Sequence, residues 1–148
     1  MDIGLGRRAD YSLRGVFHLA RHDDGAFRSA RAIAEATAVP ATWLPQLLTT
    51  LAAAGVVESA TGRRGGYRLA RPPARVTVLE VVQAVEPDPD PVCVLRGGPC
   101  NWDGRCAFHE PWVAAKQAFT ARLADTTFAD VVALDDLLAD AAGGREVS

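Results

Sequence analysis

The chain has 148 residues, enough for one domain or a small domain with an appendage, and 49% of them are hydrophobic, so a core can be buried. No apolar run is long enough to span a bilayer. The opening MDIGLGRRADYSLRG lacks the apolar stretch and small-residue cleavage site of a secretory signal, so a cytoplasmic protein is expected. The net charge of −2 hides an asymmetry: residues 1–75 carry eleven Arg against six Asp and Glu, whereas 76–148 carry five Arg and Lys against twelve acids, so only the first half suits a polyanionic partner.

In chain order, residues 10–21 form the first predicted helix, with Tyr11, Leu13, Val16, Phe17 and Ala20 as its apolar stripe. HDDGAF breaks it. Ser29 is a suitable N-cap for a short second helix over 30–36, with Ala32, Ile33 and Ala36 as its apolar positions. TAVPAT makes a tight turn. A third helix is expected from Thr42 to about Ala54, with Thr42 as N-cap, Pro45 at the third helical position and Leu44, Leu47, Leu48 and Leu51 inward. Gly55 is placed to stop it.

Two strand-like runs follow, VVESA and YRLAR, around the glycine-rich tip TGRRGG. Pro72 and Pro73 end them. TVLEVVQAVE then opens a fourth helix with a capping box between Thr77 and Glu80, and PDPDP forces a stiff link. After the cysteine-bearing stretch, residues 112–124 set Trp112, Val113, Lys116, Phe119 and Leu123 in helical phase, with more apolar surface than a lone helix there needs. A last helix covers about 128–141, after Thr127. The expected fold class is mainly α with a small β-hairpin: a winged helix-turn-helix, a cysteine loop and a long helix with an apolar face. The divisions are 1–86 for the winged helix-turn-helix, 87–110 for the cysteine loop, and 111–148 for the long helix, which the family resemblance given below assigns to dimerisation, and the C-terminal helix.

In a winged helix the third helix enters the major groove and the hairpin touches the backbone or minor groove. Arg7 and Arg8 before the first helix, Arg31 on the second, and Arg63 and Arg64 at the wing tip are the candidate phosphate contacts. Thr42, Trp43, Gln46, Thr49 and Thr50 lie on the exposed side of the third helix, and Tyr67 begins the second strand. Gln46 suits an adenine or guanine edge, and Thr42 or Thr49 a phosphate. A solvated surface is the plain alternative for each of these.

All three cysteines fall in VCVLRGGPCNWDGRCAFHEPW, as Cys93-x6-Cys100-x5-Cys106-x2-His109. An odd, clustered set of thiols in a reducing compartment points to metal or redox chemistry rather than a disulfide framework. Wide spacing on a glycine-rich loop suits an iron–sulfur cluster first. Zinc comes second, because its structural sites usually pair cysteines two to four residues apart, and a redox disulfide third. His109 and Asp10 compete as the non-thiol ligand. No nucleotide-binding glycine motif or paired acid–base set suggests an enzyme.

RRADYSLRGVFHLA, AIAEATAVPATWLPQLLTTLAAAGVVES and TGRRGGYRLARPPARVTVLEVVQAVE, followed by the three cysteines, resemble the IscR/NsrR (Rrf-two) family of winged-helix regulators over roughly residues 5–135. The resemblance implies a homodimeric repressor of palindromic operator DNA, paired through the helix after the cysteine loop. It implies control by a 2Fe–2S or, second, a 4Fe–4S cluster that reports redox state, nitric oxide, iron or cluster status. By position, Cys93, Cys100 and Cys106 match the cluster thiolates, His109 the ligand of one branch, and Asp10 that of another, supplied by the second subunit. The six-residue first cysteine gap and Pro45 depart from the commonest pattern. A thiol- or zinc-dependent regulator on the same scaffold is the alternative.

Overall fold

The computed structural model describes residues 4–86, 95 and 106–143. Among them the elements run α1 (Arg7–Arg21), α2 (Ala30–Thr37), α3 (Leu44–Ala53), β1 (Val57–Ala60), β2 (Gly66–Leu69), a 3-10 turn (Pro73–Arg75), α4 (Val78–Val85), α5 (His109–Asp125) and α6 (Phe128–Gly143). The fold is thus mainly helical with one small antiparallel hairpin, as the sequence pattern requires. No described helix is long and apolar enough to cross a membrane.

The core forms where the helical stripes meet. Ala9, Ser12, Val16, Leu19 and Ala20 recur every three or four residues of α1 and are buried. They pack with Ile33 of α2 and with Leu44, Leu47, Leu48 and Leu51 of α3. Gly15 faces Leu44 and Ile33 where the three helices meet. Truncating any of these leucines to alanine removes buried area and leaves a cavity, at a cost of roughly 2–5 kcal/mol. Val56, Val57, Leu69, Val76, Val81, Val85 and Phe128 extend the same core under the hairpin, α4 and α6.

Local chemistry sets most boundaries. The Ser29 hydroxyl accepts the Ala32 N–H at 3.1 Å and starts α2. Ala38, left-handed at φ 56°, ends it in the place where glycine is usual. Gly55 stops α3 with φ 77°. The start of α3 differs from expectation: Leu44 is its first residue and Trp43 its N-cap, so Thr42 stands in the preceding turn rather than at the cap. The cause is Pro45. It lacks an N–H and is tolerated in the first turn, so it sits within the first two helical positions instead of the third. The first helix also opens three residues early, at Arg7, and α5 opens at His109 rather than near 112.

The hairpin pairs Val57 with Leu69, Glu58 with Arg68, Ser59 with Tyr67 and Ala60 with Gly66. A further bridge was not legible in HDDGAF. Arg28 and Tyr67 exchange backbone bonds at 2.9 and 2.8 Å, tying the wing to the α1–α2 connection. Gly66 permits this with φ 141°, where a Cβ would run into the Arg28 backbone.

α4 carries the predicted capping box. Thr77 accepts the Glu80 N–H, and the Glu80 carboxylate accepts the Thr77 N–H at 2.9 Å. Thr127 and Asp130 repeat the arrangement at α6. The two starts are joined by a Thr77–Thr127 bridge, with the Phe128 N–H donating to the Val76 carbonyl at 2.9 Å. α6 therefore packs back onto α1 and the 3-10 turn, with Phe128 in the core. α5, by contrast, has no buried residue, and Trp112 and Phe119 are exposed along it.

Candidate nucleic-acid interface and thiol site

Arginine pairing sorts the basic half of the chain. Six arginines face carboxylates: Arg14 with Asp10, Arg21 with Asp135 and Asp136, Arg28 with Asp24, Arg31 with Glu35, Arg68 with Glu58, and Arg71 with Glu80. Arg8 turns its Nε to the Val85 carbonyl at 3.0 Å. Arg63 and Arg64, exposed at the hairpin tip, have no carboxylate partner among the described residues, and neither has Arg7 at the start of α1. Unneutralised cations at a glycine-flanked tip are available to an external anion such as a phosphate. Arg31 lies on the surface in an i,i+4 pair, which an incoming phosphate can displace because such exposed pairs contribute about 0–1 kcal/mol.

On α3, Gln46 is exposed beside Thr49 and Thr50, whose hydroxyls donate to the Pro45 and Gln46 carbonyls at 2.9 and 3.1 Å. With those protons committed, the two threonine oxygens act as acceptors and Gln46 is the side chain with donors to spare. Trp43 is 39% exposed and its ring meets Tyr11 edge-on at 5.7 Å. Trp43 therefore also serves packing, as does Tyr67, which is half-buried against the core.

Several residues that hold this surface in place were not among those singled out in the sequence. Arg28 holds the Asp24 carboxyl down to about 2, chiefly through their side-chain hydrogen bond and then through the Ala26 N–H. Arg28 also donates to the His22 carbonyl. Arg68 lies 4.3 Å over the Phe27 ring and donates to the Gly25 carbonyl at 2.7 Å. These contacts fasten β2 to the α1–α2 loop. The Asp-Gly-Ala-Phe run before the second helix is their only sequence signal. Arg71 braces α4: burial pushes the Glu80 carboxyl up, but the Thr77 N–H and the Arg71 guanidinium outweigh it and hold it below the usual range.

Of the ligand candidates, Cys93 and Cys100 lie outside the described residues. Cys106 is exposed, and its carbonyl accepts the His109 N–H at 3.2 Å, so both occupy the turn that opens α5. A free thiol and an imidazole in one turn form a donor set suited to a thiophilic metal. Asp10, on α1, has its carboxylate bonded by Arg14 at 2.9 Å and is 42% exposed. Among the described residues no three His, Cys, Asp or Glu side chains gather into a metal site.

Comparison with known proteins places these features. The chain is 35% identical over 130 residues, 87% of its own length and 88% of the relative's, to the HTH-type transcriptional repressor NsrR of Streptomyces coelicolor. The structure of CymR, the global cysteine regulator of B. subtilis, superposes with a TM-score of 0.77 at 27% identity, covering 90% of this chain and 98% of that one. T. potens IscR superposes with a TM-score of 0.74 at 28% identity, covering 93% and 90%. Residues 5–134 match the family model described as Rrf2, iron-dependent transcriptional regulator. With its helical pair, basic wing and exposed α5, the chain belongs to the Rrf2 family of transcriptional regulators, DNA-binding proteins that are commonly dimeric and are not enzymes.

Proposed function

We propose that the protein is a repressor that binds palindromic operator DNA as a homodimer and whose binding is governed by an iron–sulfur cluster. The observation that carries this reading is the combination, in one Rrf2 chain, of a wing tip with unpaired cations and an exposed Cys106 sharing its turn with His109. Arg63 and Arg64 meet phosphates from the wing, with Arg7, Arg8 and Arg31 behind them. Gln46, with Thr42, Trp43, Thr49 and Tyr67 around it, faces the groove. Residues 1–86 form the DNA-binding unit, 87–110 hold the cluster, and 111–148 supply the dimer helix. Exposed Trp112 and Phe119 on α5 support that last assignment.

Cys93, Cys100 and Cys106 would hold the cluster, a 2Fe–2S before a 4Fe–4S, with His109 or Asp10 completing the set. When bound, such a cluster supplies a centre that reacts with oxidants or nitric oxide. The chain's own part is to hold thiolates and one weaker, exchangeable ligand beside it. The Arg14 guanidinium on Asp10 biases that carboxylate toward its own helix, which favours His109. The likeness to CymR supports a second reading, in which the same thiols answer oxidants directly or through zinc.

Purification without oxygen distinguishes the two. A brown protein with iron and charge-transfer absorption in the visible is the expected result. Colourless protein with one zinc per chain and no iron after reconstitution contradicts the cluster. An oxidant response lost in Cys93→Ser, with metal-free DNA binding intact, then establishes the thiol reading.

A further inference from the structure

The hairpin that carries Arg63 and Arg64 at its tip has two strands of four residues each, and a two-stranded ribbon is marginally stable in water by itself. One strand is anchored by the chain. β1 leaves α3 through Gly55 and Val56, and the Val56 N–H donates to the Leu51 carbonyl at 3.0 Å. The other strand, β2, is anchored by residues 22–28. The Arg28 backbone adds one further rung to it, exchanging hydrogen bonds with Tyr67 at 2.9 and 2.8 Å. The Arg28 side chain holds its own loop: it donates to the two carboxylate oxygens of Asp24 at 3.0 and 2.9 Å and to the His22 carbonyl at 3.0 Å. Asp24 also accepts the Ala26 N–H at 3.0 Å. A forked pair of this kind fixes direction as well as distance. From the wing side, Arg68 donates to the Gly25 carbonyl at 2.7 Å, lies 4.3 Å over the Phe27 ring, and donates its Nε to the Glu58 carboxylate of β1.

Two exposed acids, Asp24 and Glu58, thus each hold an arginine that joins the wing to the α1–α2 loop. An acid on the surface of a DNA-binding half is by its charge a hindrance, since the partner is a polyanion. We propose that Asp24 and Glu58 are positioning residues for DNA binding: through Arg28 and Arg68 they fix the wing to the α1–α2 loop, so that Arg63 and Arg64 are presented at a set place beside α3. Both acids act through their arginines and touch no DNA. The consequence runs against charge counting. Removing either acid makes the protein more positive and yet weakens its grip on a duplex. The proposal rests on the reading that the wing tip meets phosphates.

The test is an anisotropy titration of the full chain against a duplex enriched from a random library by the wild-type protein. By charge alone, Asp24→Ala and Glu58→Gln would each raise affinity. The positioning role predicts a loss of about 2- to 10-fold in each, the range of a coupled pair of residues. The slope of log affinity against log salt should fall by about 1, as in Arg64→Ala. Asp24→Asn, which keeps an oxygen acceptor for Arg28 and for the Ala26 N–H, should retain most of the wild-type affinity. A double-mutant cycle separates positioning from a general loss of structure. In the Asp24→Ala background, Arg64→Ala should cost little more, whereas Gln46→Ala should cost what it does in the wild type. If Asp24→Ala does not melt cooperatively, Glu58→Gln carries the same cycle. Raised or unchanged affinity in the acid variant, or an Arg64→Ala cost that adds in full, overturns the positioning role and leaves the wing contact standing. No effect of Arg64→Ala in the wild type overturns both.

Discussion

The positive character of residues 1–75 is, residue by residue, mostly spent inside the molecule. Arg21, Arg28, Arg68 and Arg71 act as braces, whereas Arg63 and Arg64 are left to meet an external anion. Arg64→Ala should therefore weaken binding to all duplexes alike and reduce the slope of log affinity against log salt by about 1. Gln46→Ala should leave the slope unchanged and shift preference among duplexes, at roughly 1–3 kcal/mol for the base it reads. Anisotropy titrations across salt on two unrelated duplexes measure both. Identical effects of the two variants on every duplex would show that α3 does not read bases from this face. The free pair at the wing tip was visible in TGRRGG because glycine on either side leaves nothing to pair with. The braces were not visible, because Arg21 finds Asp135 and Asp136 across more than a hundred residues. Such pairings depend on how α6 folds back, which no local pattern encodes.

At the scale of elements, the C-terminal end of α1 is a seam against α6. Arg21 binds Asp135 and Asp136, and one turn earlier the His18 ring meets that of His22 at a tilt of 57° with ring centroids 4.7 Å apart. Burial, then His22, then Arg28 push the His18 imidazole below its ordinary value near 6.5. Arg14, Arg21 and Asp135 line the same cleft. A depressed histidine is less readily protonated folded than unfolded, so its contribution is complete above about pH 6.5 and is lost as pH falls from there through the lower value of the folded state. Melting temperature should drop between pH 7.5 and 5.5 in the wild type and drop less in His18→Gln. Equal slopes in the two proteins would refute this assignment. The lowered carboxyls Asp24, Glu80 and Asp130 titrate well below this window and do not confuse the measurement. Where an element was set by its own caps, as with Ser29, Gly55 and the Thr77–Glu80 box, its boundary was legible in advance. The start of α3 was not, since Trp43 displaced Thr42 once Pro45 claimed the first turn and Tyr11 offered an edge-on partner.

For the whole molecule, the fold class followed from alternating helical stripes and one glycine-turned hairpin. The return of α6 into the first core through Phe128 did not, because a lone phenylalanine after Thr127 carries no address. The chain as it stands leaves Trp112 and Phe119 on α5 and Leu134, Leu137 and Leu138 on α6 exposed. Apolar surface of that kind, in a family that is commonly dimeric, supports the proposed pairing through α5, which would present two wings to one duplex at a fixed spacing. In chain order Cys106 and His109, at the head of α5, fall between the basic first half and this surface. The proposed control of DNA binding by chemistry at these thiols is measured directly by the affinity of the oxygen-free protein for a duplex enriched from a random library, before and after chelation, for the wild type and Cys106→Ser side by side. A change of at least about fivefold is expected in the wild type and none in Cys106→Ser. Equal affinities before and after chelation in the wild type would contradict it.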